Sequence, residues 1–165
     1  MVTLSAPHED MRGLFVRLYC KNTLQAHVQM PEISQISYSI TNQQGAVRGM
    51  HFQKAPYQEV KMVRCLRGKA WDVAVDIREG SATRYKWHAE ELSAQNNKMM
   101  ILSEGFAHGF QALEPNTELL YFITTPYNPE AEAGLNPLDP ALEIPWPLEV
   151  TNLSKRDQQQ PYLVT

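Results

Sequence analysis

An all-β domain built as a sandwich or barrel of short strands is what this sequence predicts, and three observations carry the prediction. Hydrophobic residues recur with period two, most clearly in AWDVAVDIR (70–78), where Trp71, Val73, Val75 and Ile77 alternate with Asp72, Ala74 and Asp76. Turn signals such as NQQG, REGS, SEG and EPNT punctuate the chain at intervals suited to short strands. Helical periodicity is scarce. At 165 residues the chain fits one domain, taken as 1–165, because a single core can still grow at that length.

Taken in order, the chain offers a short helical turn near 17–26 and a strand at 35–41 (QISYSIT). Met50 and Phe52 in RGMHFQ (48–53) suit the start of a sheet, and a strand follows at 58–66 (QEVKMVRCL). The alternating strand at 70–78 precedes a helical turn around 90–95, then strands at 98–102 (KMMIL), 106–113 (FAHGFQAL) and 118–124 (ELLYFIT). Six of the 11 prolines lie between Pro126 and Pro147, which predicts a stiff irregular segment laid over the sheet rather than another strand. The polar tail 148–165 carries a short helix at 154–160 (SKRDQQQ) and no assigned chemistry.

The balance of charge narrows the function classes. A net charge of -3 and a pI near 5.9 do not mark a nucleic-acid-binding surface. MMIL (99–102) is the longest purely apolar run, and MVTLSAPHEDMRG lacks a basic stretch followed by an apolar one, so the expectation is a cytoplasmic protein with no membrane partner. Cys20 and Cys65 form no CxxC pair and are expected to be reduced packing residues.

Several predicted strands each carry one chemically capable polar group: His51, Lys61, Asp72, His108 and Tyr121. Each alone has a plainer reading, as a hydrogen-bonded structural histidine, an outer-face lysine or a core tyrosine. In a small barrel, however, alternate side chains face the interior and such groups converge. Two chemistries suit the set. Gly45, five residues, His51, then Gln53 and Glu59, with His108 in a later strand, resemble the cupin metal motif; Gln53 stands where its second histidine belongs, so the spacing supports the fold and predicts no metal. Proton transfer at a carbon acid needs an imidazole base, a carboxylate to orient it and an acid across the substrate. His51, an aspartate and a tyrosine supply these types, and spacing leaves open which aspartate reaches His51.

RGMHFQ, KMVRCLRGKAWDVAVDIREGSAT, LSEGFAHGFQAL, LLYFITTPYNPEAEAGLNPLDP and IPWP, in that order between Asp10 and Trp146, together resemble the nucleoside-diphosphate-4-keto-6-deoxyhexose epimerase family, of the dTDP-4-dehydrorhamnose 3,5-epimerase type. The resemblance implies a cupin-type double-stranded jelly roll with a few short helices, no cofactor and no metal. It also implies a homodimer that exchanges N-terminal segments (DMRGLF) and a nucleoside-diphosphate sugar as substrate. By the same resemblance His51 would be the general base, Asp139 in LDP its partner, Tyr121 the general acid and Lys61 the stabiliser of the enolate oxygen. Arg12 and Arg48 would grip the diphosphate, His108 would line the pocket with Asp72 orienting it, and Phe15, Arg17 and Gln35 would complete the substrate contacts. Arg17 stands where the family has glutamate, Ser37 replaces an asparagine, SATRY (81–85) replaces SPTFG, LSEG replaces IPEG, Phe122 replaces a lysine and Pro137 a tryptophan. The chemical types are kept, while the nucleotide (dTDP, CDP, UDP or GDP) and the carbon inverted (C3, C5 or both) stay open. The alternatives are a 4-keto sugar-nucleotide 3,4-ketoisomerase and a non-catalytic sugar-nucleotide-binding cupin.

Overall fold

The computed structural model describes residues 1–25 and 32–163. Its strands are β1 (Val2–Leu4), β2 (His8–Asp10), β3 (Gly13–Phe15), β4 (Gln35–Thr41), β5 (Ala46–Gln53), β6 (Lys61–Arg67), β7 (Lys69–Asp76), β8 (Trp87–Ser93), β9 (Lys98–Leu102), β10 (Phe106–Ala112), β11 (Thr117–Ile123), β12 (Glu132–Gly134) and β13 (Asn152–Leu153). Two short helices, α1 (Lys21–Gln25) and α2 (Lys155–Gln158), complete the described residues. The helix expected near 17–26 is α1, with residue 26 outside the described set. Among the described residues no helix is long and apolar enough to cross a membrane.

The strands form two facing sheets, ordered β1-β9-β6-β11-β4 and β12-β5-β10-β7-β8, with β13 added parallel to β5; β2 and β3 make a separate hairpin. Apart from β13 the pairings are antiparallel, and the architecture is the double-sheet jelly roll of a cupin. Between the sheets lies a core of Val63, Cys65, Met100, Leu102 and Leu119 from one side and Ala70, Ala74, Leu92 and Phe110 from the other. The burial of Cys65 raises its thiol pKa to about 11, as suits a packing residue.

Outer faces are covered as well. Leu18, Tyr19 and Leu24 pack on Met62, Met99, Ile101 and Phe122 of the first sheet. On the second, Leu135, Leu142, Ile144 and Trp146 from the proline-rich segment cover Met50, Val73, Val75 and Ala107. The alternating strand β7 is therefore apolar on both faces: Val73 and Val75 look outward and Ala70 and Ala74 inward. The proline-rich segment does contain one strand, β12, which sits at the sheet edge on β5, where neighbouring prolines do not break a ladder.

One predicted helix is corrected. Residues 90–95 lie in β8 and the turn after it, because a seven-residue register from Lys69↔Ser93 to Val75↔Trp87 closes the sheet edge and overrides the helical preference of HAEEL.

Candidate active site

Strand β5 explains how Arg48 and His51, three residues apart, come to share one face. His51 stands opposite His108 and Arg48 opposite Phe110, so three steps of β5 match two of β10, and the bulge restores both side chains to the inner face. Gly109 makes the close approach possible. A Cβ there would lie 2.5 Å from Met50 Sδ and 2.9 Å from the Arg48 carbonyl oxygen.

The inner faces then bring most of the predicted residues together. From the second sheet come Arg48, His51, His108 and Asp72; from the first come Lys61, Tyr121 and Gln35. His108 Nε2 lies 2.9 Å from Asp72 Oδ2, and its ring meets Tyr121 edge to face at 6.2 Å. Among the described residues, the buried Asp72 Oδ1 has no hydrogen-bond partner. The Tyr121 hydroxyl is 3.2 Å from Ser39 Oγ, and burial pushes its pKa well above the ordinary phenol value, which keeps it a protonated donor. Lys61 Nζ lies 2.9 Å from Glu59, Arg48 donates to the Ile40 carbonyl at 3.0 Å, and the Gln35 side chain accepts from the Tyr127 amide at 3.0 Å.

The carboxylate beside His51 is not Asp139. Asp157 Oδ1 stands 2.7 Å from His51 Nε2, whereas Asp139 is buried within the proline-rich segment and accepts from the Ala141 and Leu163 amides at 2.8 and 2.5 Å. Asp139 therefore ties the C-terminal chain to the segment over the sheet. Asp157 belongs to the tail to which no chemistry was assigned. Strand β13 pairs with β5 in parallel and delivers α2 to the sheet edge; Ser154 caps α2 by accepting from the Asp157 amide at 3.0 Å. The Gly49 amide donates to Asp157 Oδ2 at 3.3 Å. Burial pushes the Asp157 carboxyl upward, but the contacts with His51, Gly49 and Arg156 outweigh it and hold the group below the usual carboxylate range.

Arg156 is the second residue that sequence reasoning missed. Its Nη2 lies 2.9 Å from His51 Nε2 while Nη1 is anchored on Glu132 at 2.7 Å. The pair Ser154 and Asp157, spaced as a helix cap, marks the start of α2 in the sequence but says nothing of its docking on His51. Beside this cluster a cavity of about 710 Å³ opens, bordered by Thr41, Arg48, His51, Ser154, Arg156 and Asp157.

Besides Asp139, three predicted residues stand apart. Arg12 and Phe15 lie on the exposed β2–β3 hairpin, where Arg12 pairs with Asp10 at 2.5 Å, and Arg17 lines a separate cavity of about 460 Å³ with Cys20. Nor do the cupin motif positions form a ligand set. Gln53 donates to Glu59 and to backbone carbonyls, Glu59 is held by Lys61 and His108 by Asp72; among the described residues no group of three His, Cys, Asp or Glu is placed to hold a metal ion.

Chemically, the arrangement sets an imidazole oriented by a carboxylate on one sheet against a protonated phenol and an ammonium on the other. That is a constellation for removing and returning a proton at a carbon beside a carbonyl.

Comparison with known proteins agrees with this chemistry. A family model described as dTDP-4-dehydrorhamnose 3,5-epimerase matches residues 1–165. A dTDP-4-dehydrorhamnose 3,5-epimerase of Sinorhizobium fredii is 42% identical over 155 residues, covering 93% of this chain and 80% of the relative. A dTDP-4-dehydrorhamnose 3-epimerase of Streptomyces niveus is 38% identical over 150 residues, covering 90% of this chain and 72% of its own. The crystal structure of a dTDP-4-dehydrorhamnose 3,5-epimerase from Bacillus anthracis, with TDP and PPi bound, superposes with a TM-score of 0.95 at 33% identity, covering 98% of this chain and 93% of that one.

Proposed function

The chain belongs to the dTDP-4-dehydrorhamnose 3,5-epimerase family, and from that premise we propose a cofactor-independent epimerisation at C3, C5 or both of a nucleoside-diphosphate-4-keto-6-deoxyhexose. The observation that carries the proposal is the His51–Asp157 pair on one inner face with Tyr121 and Lys61 on the other. His51, oriented by Asp157, removes the proton α to the C4 ketone. The developing enolate oxygen is stabilised by the Lys61 ammonium, and Tyr121 returns a proton from the opposite face, which inverts the carbon. One group cannot easily serve both faces, so base and acid on opposite sheets suit inversion. Arg48, at the rim of the cavity beside His51, grips the diphosphate through its planar guanidinium.

The reading extends to the assembly. Ile36, Tyr38 and Ile40 expose the outer face of the edge strand β4, and Leu14 and Phe15 are exposed on the hairpin. A second copy of this chain covers these surfaces in a homodimer, and its hairpin brings Arg12 and Phe15 to the neighbouring site. A cytoplasmic location goes with the reading, since two free thiols suit a reducing compartment.

Proton NMR in deuterated water tests the chemistry, with the protein added separately to the dTDP, CDP and GDP forms of 4-keto-6-deoxyglucose. Deuterium is expected at C3, C5 or both, and its position names the carbon while the rates rank the nucleotides. Tight binding of these sugars with no exchange at any carbon would instead favour a binding cupin. His51→Ala with unimpaired exchange would remove His51 from the role of base.

A further inference from the structure

Lys61 does not face the interior as a free cation. Its Nζ lies 2.9 Å from Glu59 Oε1, and the two side chains are only 12% and 13% exposed. The other carboxylate oxygen of Glu59 accepts from Gln53 Nε2 at 3.1 Å. Gln53 is itself fixed: it is buried, accepts from the Asn128 amide at 2.7 Å, and donates to the Tyr57 and Pro126 carbonyls at 3.1 and 3.3 Å. Gln53 sits on β5 two residues beyond His51 and shares its face, while Lys61 opens β6 on the opposite sheet, two residues before Val63, the register partner of Tyr121. Glu59 thus ties the ammonium of one sheet to the strand that carries the imidazole on the other.

From this geometry we propose that Glu59 is a positioning residue for Lys61, holding the ammonium at the place where the enolate oxygen forms; the proposal rests on the epimerase reading above. A lysine on a flexible four-carbon stem is a poor oxyanion stabiliser unless something fixes its end, because catalytic donors act by being preorganised. An ammonium has three donors, and one engaged by Glu59 leaves others for substrate. The carboxylate also makes it tolerable to hold an ammonium almost out of water before substrate arrives.

A double-mutant cycle separates this role from a merely architectural ion pair. Turnover is compared for the wild type, Glu59→Gln, Lys61→Met and the double variant, using the nucleotide form the wild type accepts. Glu59→Gln is expected to lower kcat roughly 10- to 100-fold while KM moves less than about threefold. In the Lys61→Met background the same change is expected to cost less than about threefold, because nothing is left to position. Equal losses in both backgrounds, or a Glu59→Gln protein with wild-type kcat, would overturn the proposal. Should Glu59→Gln fail to fold, Glu59→Asp carries the same comparison in the same two backgrounds under the same criteria. A wild type that exchanges no deuterium ends the epimerase reading itself; an active wild type, slowed by Lys61→Met and indifferent to Glu59→Gln, ends only the positioning role.

Discussion

Asp157 approaches His51 to 2.7 Å while Asp139 holds two backbone amides, so the same substitution at the two positions has different consequences. Asp157→Asn is expected to lower kcat roughly 10²- to 10⁴-fold and to cost some stability at neutral pH, because the imidazole loses the group that fixes its tautomer and stabilises its charged form. Asp139→Asn is expected to keep kcat within a few-fold and to destabilise the protein by about 1–3 kcal/mol, since one of the two backbone amides then faces an NH2 donor instead of its acceptor. Steady-state rates and thermal melts on both variants decide the matter. The acid limb of stability gives a second check. The Asp157 carboxyl is held below the usual carboxylate range, so its contribution is complete above the unfolded-state value and is lost as pH falls through the folded one. The fall in Tm below about pH 4 should be shallower in Asp157→Asn than in the wild type, and an unchanged slope would mean that the carboxylate is not held as described. That His51, Lys61 and Tyr121 lie on strands was legible in the sequence, because each sits in a recognisable strand pattern. Asp157 was not, because what qualifies it is a docking event 106 positions away from its partner.

At the scale of elements, α2 carries more than its four residues suggest. So short a helix has almost no intrinsic stability, and its place depends on the Ser154 cap, on β13 and on the Asp157 contacts. Ser154→Ala is therefore expected to cost about 1 kcal/mol of stability and also to lower kcat several-fold, by loosening the carboxylate that orients His51. A melt and a turnover assay on this variant read both effects; lost stability with intact kcat would show that β13 alone positions Asp157. The bulge in β5 makes a comparable point. Period-two alternation places residues three apart on opposite faces, so no pattern reading puts Arg48 beside His51, and only the pairing with β10 does. The main strands were readable because their own side chains alternate. β8 was not, since HAEEL favours a helix locally and is held extended by β7. Nor were β1, β12 and β13, which are too short to show a period and exist only as edge partners.

At the scale of the whole molecule, a single chain holds Arg12 and Phe15 on its own exposed hairpin, apart from the His51 cluster. The hairpin is small and, among the described residues, its ladder is internal, so by itself it has little reason to hold a fixed place. Its apolar residues and the exposed face of β4 are consistent with one explanation, a two-fold pairing in which each chain lends its hairpin to the other. Sedimentation is expected to show a dimer, and replacing Ile36 and Ile40 with lysine is expected to shift it toward monomer and to lower activity together. Complementation gives the sharper test. His51→Ala lacks the proposed base and Arg12→Ala the arginine proposed to be exchanged, so each homodimer is expected to be slow. In a hybrid, one site combines an intact His51 with an intact Arg12 from the other chain. Random exchange between equal amounts of the two variants should therefore restore about a quarter of wild-type activity. If each Arg12 instead served its own chain, every hybrid site would remain defective and mixing would restore nothing.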